Sequence, residues 1–199
     1  MQRILYAVFL VLCFSTFSCG NKHERDPEGM IVYQENQTTW VRNFEPLNPV
    51  SISRWPTRGG IYESLFLNNP ITTDWTPWLA TGYEWRNNNK KLLFNIRSGV
   101  EWSDGKPFSA HDVAYTFNLM KKFPALDSRN SWGFLKSVIA ISDTVIEVDF
   151  KRVYVPGFEA IAGAPIIPKH IWSKLDDPLD FSNPNPVVLV HILKCYVLI

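Results

Sequence analysis

The sequence has 199 residues, 46% hydrophobic and 20% charged, with a formal net charge of +1. That balance suits a globular protein and excludes a disordered chain. It supplies no long-range field for nucleic acid, so no nucleic-acid partner is expected.

The N-terminus reads as a targeting segment. Arg3 gives a basic start, and Ile4 to Phe17 form an apolar stretch too short to cross a bilayer comfortably. Thr16-Phe17-Ser18-Cys19-Gly20 resembles a bacterial lipobox, although Thr16 stands where Leu or Val is usual. Residues 1–19 are therefore expected to be a lipoprotein signal peptide, with Cys19 as the lipidation site and membrane anchor. Residues 20–29 read as a flexible tether. The three cysteines are Cys13, Cys19 and Cys195, which leaves the mature domain no disulfide pair. No Cys/His spacing suggests a metal, and no cofactor is expected.

Met30 to Trp40 begins apolar and extended, as a first strand would. Phe44-Glu45-Pro46-Leu47-Asn48-Pro49 is a loop, because each proline holds its predecessor extended. After Gly59-Gly60, the spacing of Ile61, Leu65 and Phe66 predicts a short helix. Asn68-Asn69-Pro70 is a turn. Trp78 to Trp85, the Asn87-Asn88-Asn89 turn and the Lys91 to Arg97 strand predict a hairpin, with Leu92, Phe94 and Ile96 on one face.

Trp102-Ser103-Asp104-Gly105-Lys106-Pro107 is a tight turn. Ser109 with Asp112 three residues on forms a capping box. The helix it starts carries Ala110, Val113, Ala114, Phe117 and Met120 as an apolar stripe and stops before Pro124. Thr144 to Phe150 alternates as a strand, with Glu147 and Asp149 outward. At Pro168-Lys169-His170-Ile171-Trp172, proline starts another helix. Mixed helices and short strands place the fold in the α/β or α+β class.

The motif order resembles the family 5 extracellular solute-binding proteins, of the oligopeptide- and dipeptide-binding type. Gly60-Ile61-Tyr62-Glu63-Ser64-Leu65-Phe66, Pro77-Trp78-Leu79-Ala80 and Tyr83-Glu84-Trp85 lead into the strongest part. That part is Arg97-Ser98-Gly99-Val100-Glu101-Trp102-Ser103-Asp104-Gly105-Lys106-Pro107-Phe108-Ser109-Ala110-His111-Asp112-Val113. The resemblance runs over roughly residues 30–187. It implies an α/β fold of the class II periplasmic-binding-protein type, with this chain as a partial first lobe of two. It also implies hinge closure on a solute and delivery to ABC permease subunits. The expected location is the periplasmic or extracellular face. Asp104, Gly105, Pro107, Ser109 and Asp112 read as scaffold, not as ligand contacts.

The ligand is expected to be a peptide or an oligosaccharide. Thr39 to Pro49, Pro168 to Trp172 and Asn183-Pro184-Asn185-Pro186 resemble the branch that includes cello-oligosaccharide binders. Trp40 and Trp55 would stack on sugar faces, and Asn43 would pair with hydroxyls. A peptide binder would instead use an acid near the first strand, Glu35 or Glu45.

Relatives of this kind continue past Val187 into a Gly-x-Gly-Pro-Tyr/Phe crossover, whereas here Val188-Leu189-Val190-His191-Ile192-Leu193 follows. Deleting one G from GTT GGT TCT GGT CCA TAT ATT A turns Val-Gly-Ser-Gly-Pro-Tyr-Ile into Val-Val-Leu-Val-His-Ile-Leu. Residues 188–199 are therefore expected to be an out-of-frame tail on a truncated chain that binds nothing tightly by itself. Sequencing the gene tests this, since the other frame must encode the crossover. Rival readings are a secreted hydrolase and a non-transporting surface or sensor lipoprotein. No Gly-x-Ser-x-Gly, His-Glu-x-x-His, Walker loop or Gly-x-Gly-x-x-Gly supports an enzyme. His111 and His170, both at helix starts, read as surface residues.

Overall fold

The structure is a computed structural model, and it describes residues 42–50, 53, 57 and 61–189. The signal peptide, the tether, the first strand at Met30 to Trp40, Glu35, Trp40, Trp55, Cys19 and most of the expected tail lie outside the described residues.

The hairpin predicted at Trp78 to Arg97 is present as β3 (Ala80–Arg86) and β4 (Lys91–Ile96), paired antiparallel from Ala80↔Ile96 to Arg86↔Lys91. Before it, β1 (Phe66–Asn68) pairs antiparallel with β2 (Trp75–Pro77). Asn87, Asn88 and Asn89 all take positive φ, between 50 and 60°. Asparagine tolerates that region better than other residues with a side chain, so the triplet suits the turn.

β5 (Leu135–Ser142) and β6 (Val145–Phe150) form the second hairpin. β6 pairs with β4, giving one antiparallel sheet in the order β3-β4-β6-β5. Leu92, Phe94, Ile146 and Val148 share its inner face and are fully buried. The other face is polar: the Lys91 ammonium lies 2.8 Å from Glu147 and 3.5 Å from Asp149.

Helix α1 (Ala110–Lys122) packs on the β5–β6 half of the inner face. Its N-terminus carries the expected capping box. The Ser109 hydroxyl accepts from the N–H of His111 at 3.2 Å, and the Asp112 carboxylate accepts from the N–H of Ser109 at 3.0 Å. Together these satisfy N–H groups that the first helical turn leaves without partners. Val113, Phe117 and Met120 face the core, and Pro124 ends the helix at Phe123. α2 (Gly157–Ala162) and α3 (Lys169–Trp172) complete the core, with Phe158, Ile161 and Trp172 buried.

The short helix predicted at Ile61–Phe66 is not formed. Instead the Leu65 carbonyl accepts from the N–H groups of Trp78 and Ala80, and the Glu63 carbonyl from Ile166. Backbone groups taken by distant partners cannot close helical i→i−4 bonds, so tertiary pairing overrides the local spacing. β5 and α2 were not expected from the sequence.

Two residues of the expected tail are described. Val188 exchanges hydrogen bonds with Ser103, and Leu189 pairs with Trp102 and is 3% exposed.

Candidate functional site

The Phe44–Pro49 loop folds on its own side chains. Asn43 Oδ1 accepts from the N–H of Glu45, and the Glu45 carboxylate accepts from Leu47 at 2.7 Å and Asn48 at 2.5 Å. Glu45 is 1% exposed. A buried carboxylate is tolerable only with such partners, and backbone N–H groups provide them.

This loop is stapled to a distant segment. The Arg42 guanidinium donates to Pro184 O and Asn185 Oδ1, both at 3.0 Å. The Phe44 N–H donates to Ser182 O. The buried Asn183 amide donates to Phe44 O at 3.0 Å and to the Tyr62 hydroxyl at 2.5 Å. The Asn183-Pro184-Asn185-Pro186 run is thus a clasp on the loop. Burial, with the Glu45 carboxylate nearby, raises Tyr62 well above the ordinary phenol value, against the lowering effect of Asn183.

A second loop faces the first. Asp127 Oδ2 accepts from the Trp132 N–H, and Asn130 takes the left-handed conformation at φ 49°. Between them Arg129 reaches the end of α2, donating to the carbonyls of Glu159, Ala160 and Gly163 at 3.1, 3.4 and 3.4 Å. A cation at a helix C-terminus satisfies terminal carbonyls and complements the helix dipole.

A cleft of about 410 Å³ lies between these loops, lined by Pro46, Tyr62, Ser64, Ser128, Arg129, Gly163 and Pro165. A small recess of about 30 Å³ adjoins it, sharing Pro46, Ser128, Arg129 and Pro165 and reaching Leu47, Met120 and the Asp127 carboxylate. The lining offers hydroxyls, a guanidinium and two apolar proline rings. That set can hold a polar solute, and it pairs no nucleophile with a base. Among the described residues no cluster of His, Cys, Asp or Glu could hold a metal ion.

Of the residues singled out in the sequence, Glu45 lies in the loop that supplies Pro46 to the cleft and Asn43 just before it, and neither is in the lining. Ser64, Ser128 and Arg129 were missed. Each is a single polar residue in a loop or extended segment, with no motif around it to mark it.

The signature turn sits elsewhere. Gly105 takes φ 79°, and its N–H donates to Trp102 O. Asp104 Oδ2 lies 2.7 Å from His170 Nε2. His111 is half exposed and 3.3 Å from Asp143. Asp112 joins α1 to α3, its second oxygen accepting from the Lys169 N–H at 2.9 Å. Burial pushes the Asp112 carboxyl above its ordinary value, although the Lys169 and Ser109 N–H groups and the Trp102 indole oppose the shift.

The profile of Bacterial extracellular solute-binding proteins, family 5 Middle, matches residues 74–189. The "Probable ABC transporter-binding protein" of Deinococcus radiodurans is 28% identical over 130 residues, covering 62% of this chain and 22% of that protein. The nickel-binding periplasmic protein of Escherichia coli is 28% identical over 136 residues, covering 64% of this chain and 25% of that protein. Among solved structures, a mannohexaose-bound periplasmic oligopeptide-binding protein of Thermotoga maritima superposes with a TM-score of 0.67 at 31% identity. That match covers 74% of this chain and 28% of the other. The chain therefore spans about a quarter of the length of the relatives it matches. The proteins matched are solute-binding proteins rather than enzymes.

Proposed function

The chain belongs to the bacterial extracellular solute-binding proteins of family 5, and on that premise we propose that it forms one wall of an oligosaccharide-binding cleft. The whole protein would capture the sugar outside the cytoplasmic membrane and deliver it to ABC permease subunits. Cys19 would carry the lipid anchor, which mass spectrometry of the mature N-terminus tests; an unmodified Cys19 would remove it.

The observation that carries the sugar reading is the chemistry of the cleft at Arg129. Its own lining supplies hydroxyls and one cation; the carboxylate of the adjoining recess, Asp127, already accepts from the Trp132 N–H at 3.0 Å. The acid of the neighbouring loop, Glu45, is buried and accepts from Leu47 and Asn48. A zwitterionic peptide needs an acid for its amino terminus as well as a base for its carboxylate. A neutral polyol needs only hydroxyl and guanidinium partners with apolar surface for its C–H faces. The mannohexaose bound to the Thermotoga maritima relative supports the same class. Trp40 and Trp55 remain candidate stacking residues, and Asn43 a candidate partner for hydroxyls.

Saturation-transfer NMR on the full chain reads even weak binding by one wall. Mannohexaose or cellohexaose is expected to give a signal that Arg129→Ala diminishes, and a tripeptide none. A peptide-only response would contradict the proposal.

A further inference from the structure

The sheet's inner face is unevenly covered. α1 packs over the β5–β6 half, whereas an aromatic group covers the β3–β4 half. Phe158 from α2 lies 6.0 Å from Phe94, 4.4 Å from Tyr83 and 5.7 Å from Trp75. Cover runs out at the β3 edge. There a groove of about 440 Å³ opens, lined by Thr73, Asp74, Trp75, Tyr83, Trp85, Val155, Pro156, Phe158 and Glu159. It shares no lining residue with the cleft at Arg129.

Its chemistry is one-sided. Four aromatic rings line it, and Tyr83 stays 47% exposed. Both ionisable side chains at acidic positions, Asp74 and Glu159, are exposed carboxylates, and no Lys, Arg or His is in the lining. An anion finds no cationic side chain among the lining residues. A neutral sugar could stack on the rings and donate to the carboxylates, but it leaves both negative charges uncompensated, and the Thr73 hydroxyl is turned to the Thr72 carbonyl at 2.6 Å. A cation on an apolar stem meets both features, since ring faces and carboxylates attract it together.

We infer that this groove is a second binding site, and that it takes an organic cation of the ammonium or guanidinium kind. Tyr83 and Trp85 lie on one face of β3, two residues apart, so the strand presents both rings to the same side. Asp74 beside β2 and Glu159 on α2 place charge at the margins of the rings.

Titration of the full chain with tetramethylammonium chloride, followed by tryptophan fluorescence at constant ionic strength, tests this. Saturable quenching is expected, and methyl α-glucopyranoside should give none. The double variant Asp74→Asn, Glu159→Gln should weaken binding about fivefold. Trp85→Ala should weaken it further while circular dichroism stays that of the folded chain. Both carboxylates are exposed, so the double variant is expected to fold. Quenching that is unsaturable, or unchanged in the double variant, overturns the inference. Saturable binding of the glucoside in place of the cation overturns it too, and would make the groove a sugar subsite.

Discussion

Strands β3 to β6 and helix α1 meet through Leu92, Phe94, Val113, Phe117, Ile146 and Val148, each essentially without solvent exposure. The loops around the cleft at Arg129 are held by polar side chains that donate to backbone carbonyls across long stretches of chain. Burial of apolar area is non-directional and resists local change. Hydrogen-bonded loops are directional, and one altered side chain re-aims them. The sheet and helix thus make a rigid frame, and the loops carry the polar groups that line the cleft. The segment from Arg97 to Val113 ends in α1 and belongs to that frame, and in the function proposed above it makes no ligand contact.

The largest expected effect lies in the frame. Phe117→Ala should cost about 3–5 kcal/mol, read from urea unfolding, because the cavity opens at the α1–sheet contact. A loss below that of any loop variant would break the contrast. Asn183→Ala comes next, at about 1–3 kcal/mol, since it strips partners from the buried Tyr62 hydroxyl and the Phe44 carbonyl. It should also shift the amide resonances of the loop around Asn43 while leaving those of β4 and β6 in place. Ser109→Ala should cost about 1 kcal/mol through the lost cap.

Asp112 adds a pH signature to the frame. Its folded value is raised, so the folded state holds the proton more tightly than the unfolded chain. Its contribution therefore weakens as pH rises from the unfolded carboxylate value, about 4, through the raised folded value. Comparing urea midpoints of wild type and Asp112→Asn across that interval should show wild type losing stability relative to the variant as pH rises. The smallest effect is expected on the polar face, where Lys91→Met should change stability by no more than about 1 kcal/mol.

The frame was largely legible in the sequence because its rules are local. Ser109 and Asp112 announce the helix start, Pro124 its end, and the alternation in Lys91–Ile96 and Val145–Phe150 the central strands. β5 was missed because register shifts at Leu135/Ser137 and Ala140/Ser142 break the two-residue period. α2 spans only six residues, too few for helical periodicity to declare itself. The helix expected near Ile61 shows the opposite error, a spacing with no helix behind it. The cleft was the least legible part. Ser64, Ser128, Arg129 and Gly163 are brought together by the long-range clasps at Asn183 and at the end of α2, and no neighbour in the chain marks them.

Backbone amide chemical-shift mapping of the full chain titrated with mannohexaose tests the central claim most directly. The division of labour predicts perturbations at Ser64, Ser128, Arg129 and Gly163, with the amides from Trp102 to Asp112 unmoved. Perturbations centred on Trp102 to Asp112, or none at the cleft under saturating sugar, would contradict it.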